Sequence, residues 1–288
     1  MIKTYPFPPA RTMAQLREEA AQLRALPNFP QALDRYIIEL ANYREASRPI
    51  AKLIANEDRY RVVNFICAMW AEIVAAGGTG AMTYGQLYNI VERGEVTARM
   101  LKTTLSLATH SKFLVKVPNP EDRRSWLYTP TELMLDHPRL WGMANAIPLD
   151  QLLPGRRRAE RMQRGDRDDI VHLLRSAGRE FIAGVQPMTV QLQFMEFWGH
   201  KEGAALFSLG LLSAEAQGLP PPSRTELATR FALSKSQITF LVGMGKDLGL
   251  YTVDGGEVTP TDSLREQHAE FAALCLVFLE RHMLGEDD

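Results

Sequence analysis

Glu121-Asp122-Arg123-Arg124-Ser125-Trp126-Leu127-Tyr128-Thr129-Pro130-Thr131 decides the fold, because its ending returns at Thr259-Pro260-Thr261. Before the first Thr-Pro-Thr, residues 113–117 and 126–129 are rich in β-branched and aromatic side chains and flank a polar turn at 118–125. Before the second, residues 250–253 and 257–259 flank Asp254-Gly255-Gly256. Two glycines after an aspartate supply the positive φ angles of a tight hairpin turn. Both stretches therefore read as β-hairpins, and the closing Thr131 and Thr261 each read as the N-cap of a following helix.

Upstream of each hairpin the sequence repeats the same order of helix signals. Thr83 with Gln86, and Ser223 with Glu226, have the spacing of a capping box, in which hydroxyl and N3 side chain satisfy orphan amides at a helix start. Each short helix meets a break, Arg93-Gly94-Glu95-Val96 or Phe231-Ala232-Leu233. A second helix then opens at Thr97 or at Ser234, where Gln237 makes a further capping box. Apolar residues recur at helical spacing in both second helices: Leu101, Leu105 and Ala108, then Ile238, Leu241 and Val242. Long amphipathic helices are expected over 58–76 and 200–217, with others over 13–26, 31–46 and 168–185. The chain is thus mainly α with small β-hairpins, and the matched strings read as an internal duplication.

Residues 1–153 form a first unit with its core at 58–136, and 170–288 a second with its core at 200–262. Between them, 154–169 holds six arginines and four acids around two glycines, and reads as a surface linker or solvated helix start. On the C-terminal helix, Leu264, His268, Phe271, Cys275, Phe278 and His282 form a seam for another helix, either from the same chain or from a homodimer partner.

With 288 residues, 45% hydrophobic and 23% charged, the chain has the composition of a globular protein rather than a disordered one. A net charge of −1 excludes a uniformly basic polymer binder and leaves room for a local basic patch. No long apolar run is present to span a membrane, and MIKTYPFPPARTM has no apolar signal core, so a cytoplasmic protein is expected. Cys67 and Cys275 sit in apolar helical stretches and read as buried free thiols. The scattered histidines have no metal-ligand spacing, and no metal or cofactor is expected. Gly243-Met244-Gly245-Lys246-Asp247 fails as a phosphate-binding loop, since Phe240 replaces its first glycine and Asp247 its Ser or Thr. Phe207-Ser208-Leu209-Gly210 lacks the leading glycine of a nucleophile elbow. No catalysis is expected.

Helix, short helix, turn, second helix and hairpin is the order of a winged helix-turn-helix, so the chain reads as two such units. The first resembles the multiple antibiotic resistance regulator (MarR) family, on Leu87, the helix from Thr97 to His110, and Asp122-Arg123-Arg124 ahead of the second strand. That family has an Asp-x-Arg wing; here Thr-Pro-Thr-Glu replaces its usual Leu-Thr-x-x-Gly ending. The second unit, from Glu226 to Gln237, is similar to a generic bacterial helix-turn-helix. The resemblance implies transcription regulation and a small-molecule effector. Two units per chain depart from the family pattern, so its dimerisation does not carry over.

A recognition helix reads base edges in the major groove with polar residues of its N-terminal part. The first unit offers Thr97, Arg99, Lys102 and Thr103, and the second Ser234, Lys235, Ser236, Gln237 and Thr239. Arg123 and Arg124 at a wing tip suit the negative potential of a minor groove. Residues 82–131 hold seven basic and four acidic groups, net +3, whereas 222–262 hold four and five, net −1. The first unit is expected to supply most phosphate affinity, on an imperfect palindrome in double-stranded DNA. The alternatives are a tandem winged-helix replication initiator, which should be more basic, and a protein-interaction scaffold that does not bind DNA. Arg156-Arg157-Arg158 reads either as a phosphate contact or as a solvated run, and Trp70, Trp141 and Trp198 as pocket-lining or core residues.

Overall fold

A computed structural model describes residues 7–285, except 48–49, 51–52, 55–56, 94–95, 188–193, 196, 198–200 and 202. Within these, twelve helices and two small antiparallel sheets follow one another. The first half contains α1 (Met13–Arg24), α2 (Phe29–Ala46), α3 (Glu57–Ala75), β1 (Met82–Thr83), α4 (Tyr84–Arg93), α5 (Ala98–His110), β2 (Leu114–Pro118), β3 (Trp126–Pro130) and α6 (Glu132–Leu152). Then come α7 (Arg158–Arg164), α8 (Arg167–Ile182), α9 (Ala204–Ala216), α10 (Arg224–Phe231), α11 (Lys235–Asp247), β4 (Tyr251–Asp254), β5 (Glu257–Pro260) and α12 (Asp262–Glu280).

Several helices begin where side-chain chemistry satisfies free amides. Thr83 Oγ1 accepts from the Gln86 amide at 3.2 Å while Gln86 Oε1 accepts from the Thr83 amide at 2.8 Å. Ser223 and Glu226 make the same exchange at 3.2 and 2.7 Å. Thr97 and Ser234 each accept one amide, from Met100 and Gln237. Each such cap is worth about 1 kcal/mol of local stability.

A central body of helices carries both hairpin-bearing segments. Helix α2 packs on α6 and α9, α3 on α8, and α1 on the C-terminal α12. Buried residues from Leu16 to Met283 join one apolar core. Helix α9 is apolar all round and is buried from Phe207 to Ala214. At the crossing of α3 and α8, a methyl group on Gly178 would stand 2.5 Å from Ala68 Cβ, so the missing side chain permits that close approach. The seam on α12 is turned into this core: Leu264, His268, Phe271 and Phe278 are buried, as is His282 in the turn after the helix. Trp70 is buried and Trp141 half-buried, while Trp198 lies outside the described residues.

Both hairpins form. In the first, order β1-β3-β2, Lys116 faces Tyr128 and Pro118 faces Trp126, with Met82 on the other side of Tyr128. In the second, Tyr251 faces Pro260 and Asp254 faces Glu257. The second sheet has two strands among the described residues. Pro222, which lacks an amide to donate, stands before Ser223 where Met82 stands before Thr83.

Thr-Pro-Thr makes one and the same joint twice. The Thr131 amide donates to the Phe113 carbonyl at 3.0 Å and its hydroxyl to Lys112 O at 3.0 Å. The Thr261 amide donates to the Leu250 carbonyl at 3.0 Å and its hydroxyl to Gly249 O at 2.7 Å. Thr261 Oγ1 also caps the Leu264 amide, whereas Thr131 makes no side-chain cap.

Two expectations need correction. The stretch 154–169 is not solvated along its length: Arg156 and Arg157 are exposed, but Arg158 and Arg161 are buried. Their charges are compensated, Arg158 by Glu280 at 2.7 Å and Asp150 at 3.5 Å, and Arg161 by a two-pronged pair with Asp169 and by the Gly285 carbonyl. Composition could not distinguish such pairs from a solvated charge run. Of the two free thiols, Cys67 is buried and Cys275 only half-buried, in contact with Tyr36.

Candidate nucleic-acid interface

Helix α5 is two-faced by periodicity. Leu101, Thr104, Leu105 and Ala108 point inward, while Thr97, Arg99, Lys102 and Thr103 are exposed. The Thr103 hydroxyl donates to Arg99 O at 2.9 Å, leaving its lone pairs toward solvent. Lys102 Nζ lies 5.8 Å from the ring centre of Tyr84, which in turn stacks on Tyr88.

The loop between β2 and β3 is shaped by its own side chains. Asp122 Oδ1 accepts the Arg124 amide at 3.0 Å, and Asn119 Oδ1 accepts the Glu121 amide at 3.1 Å. Asn119 Nδ2 donates to Ser125 Oγ at 2.9 Å, and the Ser125 amide donates to Asp122 O at 2.9 Å. The aspartate of the Asp-Arg-Arg sequence is thus a turn former. Arg123 and Arg124 are exposed at the tip, and among the described residues no acid pairs with them or with Arg99.

Sequence reasoning missed a second cationic group beside this tip. The register puts Lys116, Trp126 and Tyr128 on one face of the hairpin. Lys116 Nζ is 4.4 Å from the Trp126 ring centre and 5.8 Å from that of Tyr128. Burial, with Tyr84 close by, pushes the Tyr128 phenol up from its usual range. Strand alternation on either side of the turn was the available signal.

The segment around the second hairpin places its residues in a similar way with different chemistry. Ser234, Lys235, Ser236 and Thr239 are exposed and Gln237 is half-buried at the start of α11. Ser234 and Ser236 hydroxyls lie 3.1 Å apart, and Thr239 Oγ1 donates to Lys235 O. Phe240, 51% exposed, stands on the same outward face. Gly255 and Gly256 close the hairpin at φ +53° and +92°, and no Lys or Arg lies between Lys246 and Arg265.

A buried polar cluster lies apart from these surfaces. Ser176 Oγ is 2.7 Å from His282 Nδ1, and His282 Nε2 is 3.0 Å from Glu180 Oε2. Arg11 binds Glu180 through its guanidinium at 2.8 Å and its amide at 3.1 Å, and also reaches the carbonyls of Val277 and Phe278. Burial alone would raise the Glu180 carboxyl, but the hydrogen bonds from His282 and Arg11 outweigh it and hold it at about 2. Ser, His and Glu are residue types used in hydrolysis. Here all three are buried, and what they join is the segment before α1, α8 and the end of α12.

No family model, no curated protein and no solved structure matches the chain.

Proposed function

We propose that the chain is a DNA-binding transcription regulator made of two diverged winged helix-turn-helix units, the first dominating affinity. The observation that carries this reading is the set of exposed cations that pair with no acid among the described residues of the first unit: Arg99 and Lys102 on α5, and Arg123 and Arg124 on a loop fixed by Asn119, Asp122 and Ser125. Helix α5 presents its polar N-terminal turns outward, as major-groove readout requires, and the arginine tip has the chemistry of a minor-groove contact. The reading assigns the second unit a weaker half-site, since its hairpin lacks cations. A small-molecule effector belongs to the proposal only through the MarR resemblance.

One observation favours a second reading for the second unit alone. Phe240 on the outward face of α11 suits contact with protein better than with base edges. Selection from fragmented genomic DNA, followed by footprinting, tests the proposal. Enrichment of a few sites with one strong and one weak half is the expected result. Two equally strong half-sites for one chain, or no enrichment, contradict it.

A further inference from the structure

Trp126 is 44% exposed on a chain whose Trp70 is buried in the core. An indole left 44% exposed forgoes nearly half of the burial it could contribute to folding, and that face is open to a partner. Its surroundings say which kind. Lys116 Nζ stands over the indole 4.4 Å from its ring centre, and Arg124 is two residues away in the loop that leads into β3. Aromatic faces flanked by cations suit flat, electron-rich rings that carry phosphate, which is the chemistry of a nucleotide chain.

Intact duplex hides its base faces within the stack, so phosphate contacts of Arg123 and Arg124 alone give the indole nothing to stack on. We infer that Trp126, assisted by Lys116, is a stacking site for an unpaired nucleobase, and that the first unit favours DNA in which a single-stranded segment borders the duplex. This rests on the reading of the first unit as a DNA-binding element. It goes beyond that reading by naming the form of DNA engaged. Arg123 and Arg124 hold the duplex at its minor groove while the base next to the junction leaves its stack for Trp126.

The test uses the full chain and three probes in fluorescence anisotropy: a blunt duplex, the same duplex with an oligo-dT tail, and oligo-dT alone. Wild type is expected to bind the tailed duplex about ten-fold more tightly than the blunt one, the size of one base–aromatic stack. Trp126→Leu should bring that ratio to about one, and Trp126→Tyr should retain part of it, because the smaller ring still stacks. Circular dichroism of both variants checks that they remain folded, as expected for a half-exposed site. Equal wild-type affinity for tailed and blunt duplex, or an undiminished ratio in Trp126→Leu, overturns the inference. If both duplexes then still bind and are weakened by Arg123→Ala/Arg124→Ala, the DNA-binding reading stands without it. If neither duplex binds, both fall. Tight binding to oligo-dT alone, without gain from the duplex, overturns the junction preference.

Discussion

Lys112 and Gly249 hold the same left-handed backbone conformation, φ +63° and +69°, at the exits of α5 and α11. The next amide in each case, Phe113 or Leu250, closes on a carbonyl five residues back, Ala108 or Gly245, at 2.8 Å. With the two Thr-Pro-Thr joints, this gives the helix-to-hairpin corner one geometry in both halves. Only the second half has the residue that adopts it without a steric cost.

Lys112→Gly should therefore stabilise the protein by about 1 kcal/mol, since a Cβ in the left-handed region costs that much and glycine does not bear it. Urea unfolding measures this as a higher midpoint at unchanged slope. A lower midpoint would show that the Lys112 side chain is worth more than the strain.

Two glycines on α11 make opposite predictions. A Cβ on Gly245 would stand 2.0 Å from the ring of Tyr251, whose hydroxyl is fixed 2.5 Å from Ser208 Oγ. A Cβ on Gly243 meets nothing within 4 Å. Gly245→Ala should cost about 1–3 kcal/mol through overpacking, while Gly243→Ala should gain about 0.5–1 kcal/mol from helix propensity. Thermal denaturation of the pair separates them, and equal shifts would contradict the packing described for Tyr251. The Gly-Met-Gly-Lys sequence thus belongs to packing at Gly245, not to a phosphate loop.

Stability should fall on acidification before the carboxylates titrate. Burial, with Arg44 nearby, holds His137 down at about 3, and burial alone holds His268 at about 3. Below about pH 6.5 the unfolded chain takes up protons that the folded chain refuses, so stability rises with pH across that window. Each histidine contributes about 1.4 kcal/mol per pH unit there. Glu180 adds to the same direction at lower pH, its contribution being lost as pH falls from the unfolded carboxyl range through about 2. Unfolding free energies at several pH values check this, and His268→Phe, placed between Tyr36 and Phe194, should flatten the slope by about one histidine's share. A pH-independent stability between 6.5 and 4 would contradict it.

Arg11→Ala should destabilise by about 3–5 kcal/mol, because it leaves the buried Glu180 charge short of its main partner. Glu180→Gln alongside Arg11→Ala should recover part of the loss. A loss under about 0.5 kcal/mol, the level of an ordinary surface change, would contradict the buried pair that ties the segment before α1 to α8.

Local signals made the hairpin-bearing segments legible from sequence. Thr83 with Gln86, Ser223 with Glu226, and Asp254-Gly255-Gly256 each fix short-range hydrogen bonds that hold in any context. What escaped was tertiary. Helix α6 runs through Pro138 and Pro148, residues that ordinarily end a helix, because its buried face against α2 overrides them. Arg158 was indistinguishable from a solvated arginine until Glu280 arrived from distant sequence, and Arg161 until the turn before α8 brought Asp169, eight residues on, against it. The Lys116–Trp126 pair was missed because it depends on cross-strand register, which hydropathy alone does not set.

The most direct test of the account is the salt dependence of DNA binding for wild type, Arg123→Ala/Arg124→Ala and Lys235→Ala. Each phosphate contact contributes about 0.9 to the slope of log affinity against log salt. A steep wild-type slope is expected, reduced by about 2 in the double variant and little changed in Lys235→Ala. A slope insensitive to Arg123 and Arg124, or no binding by folded protein at low salt, would contradict it.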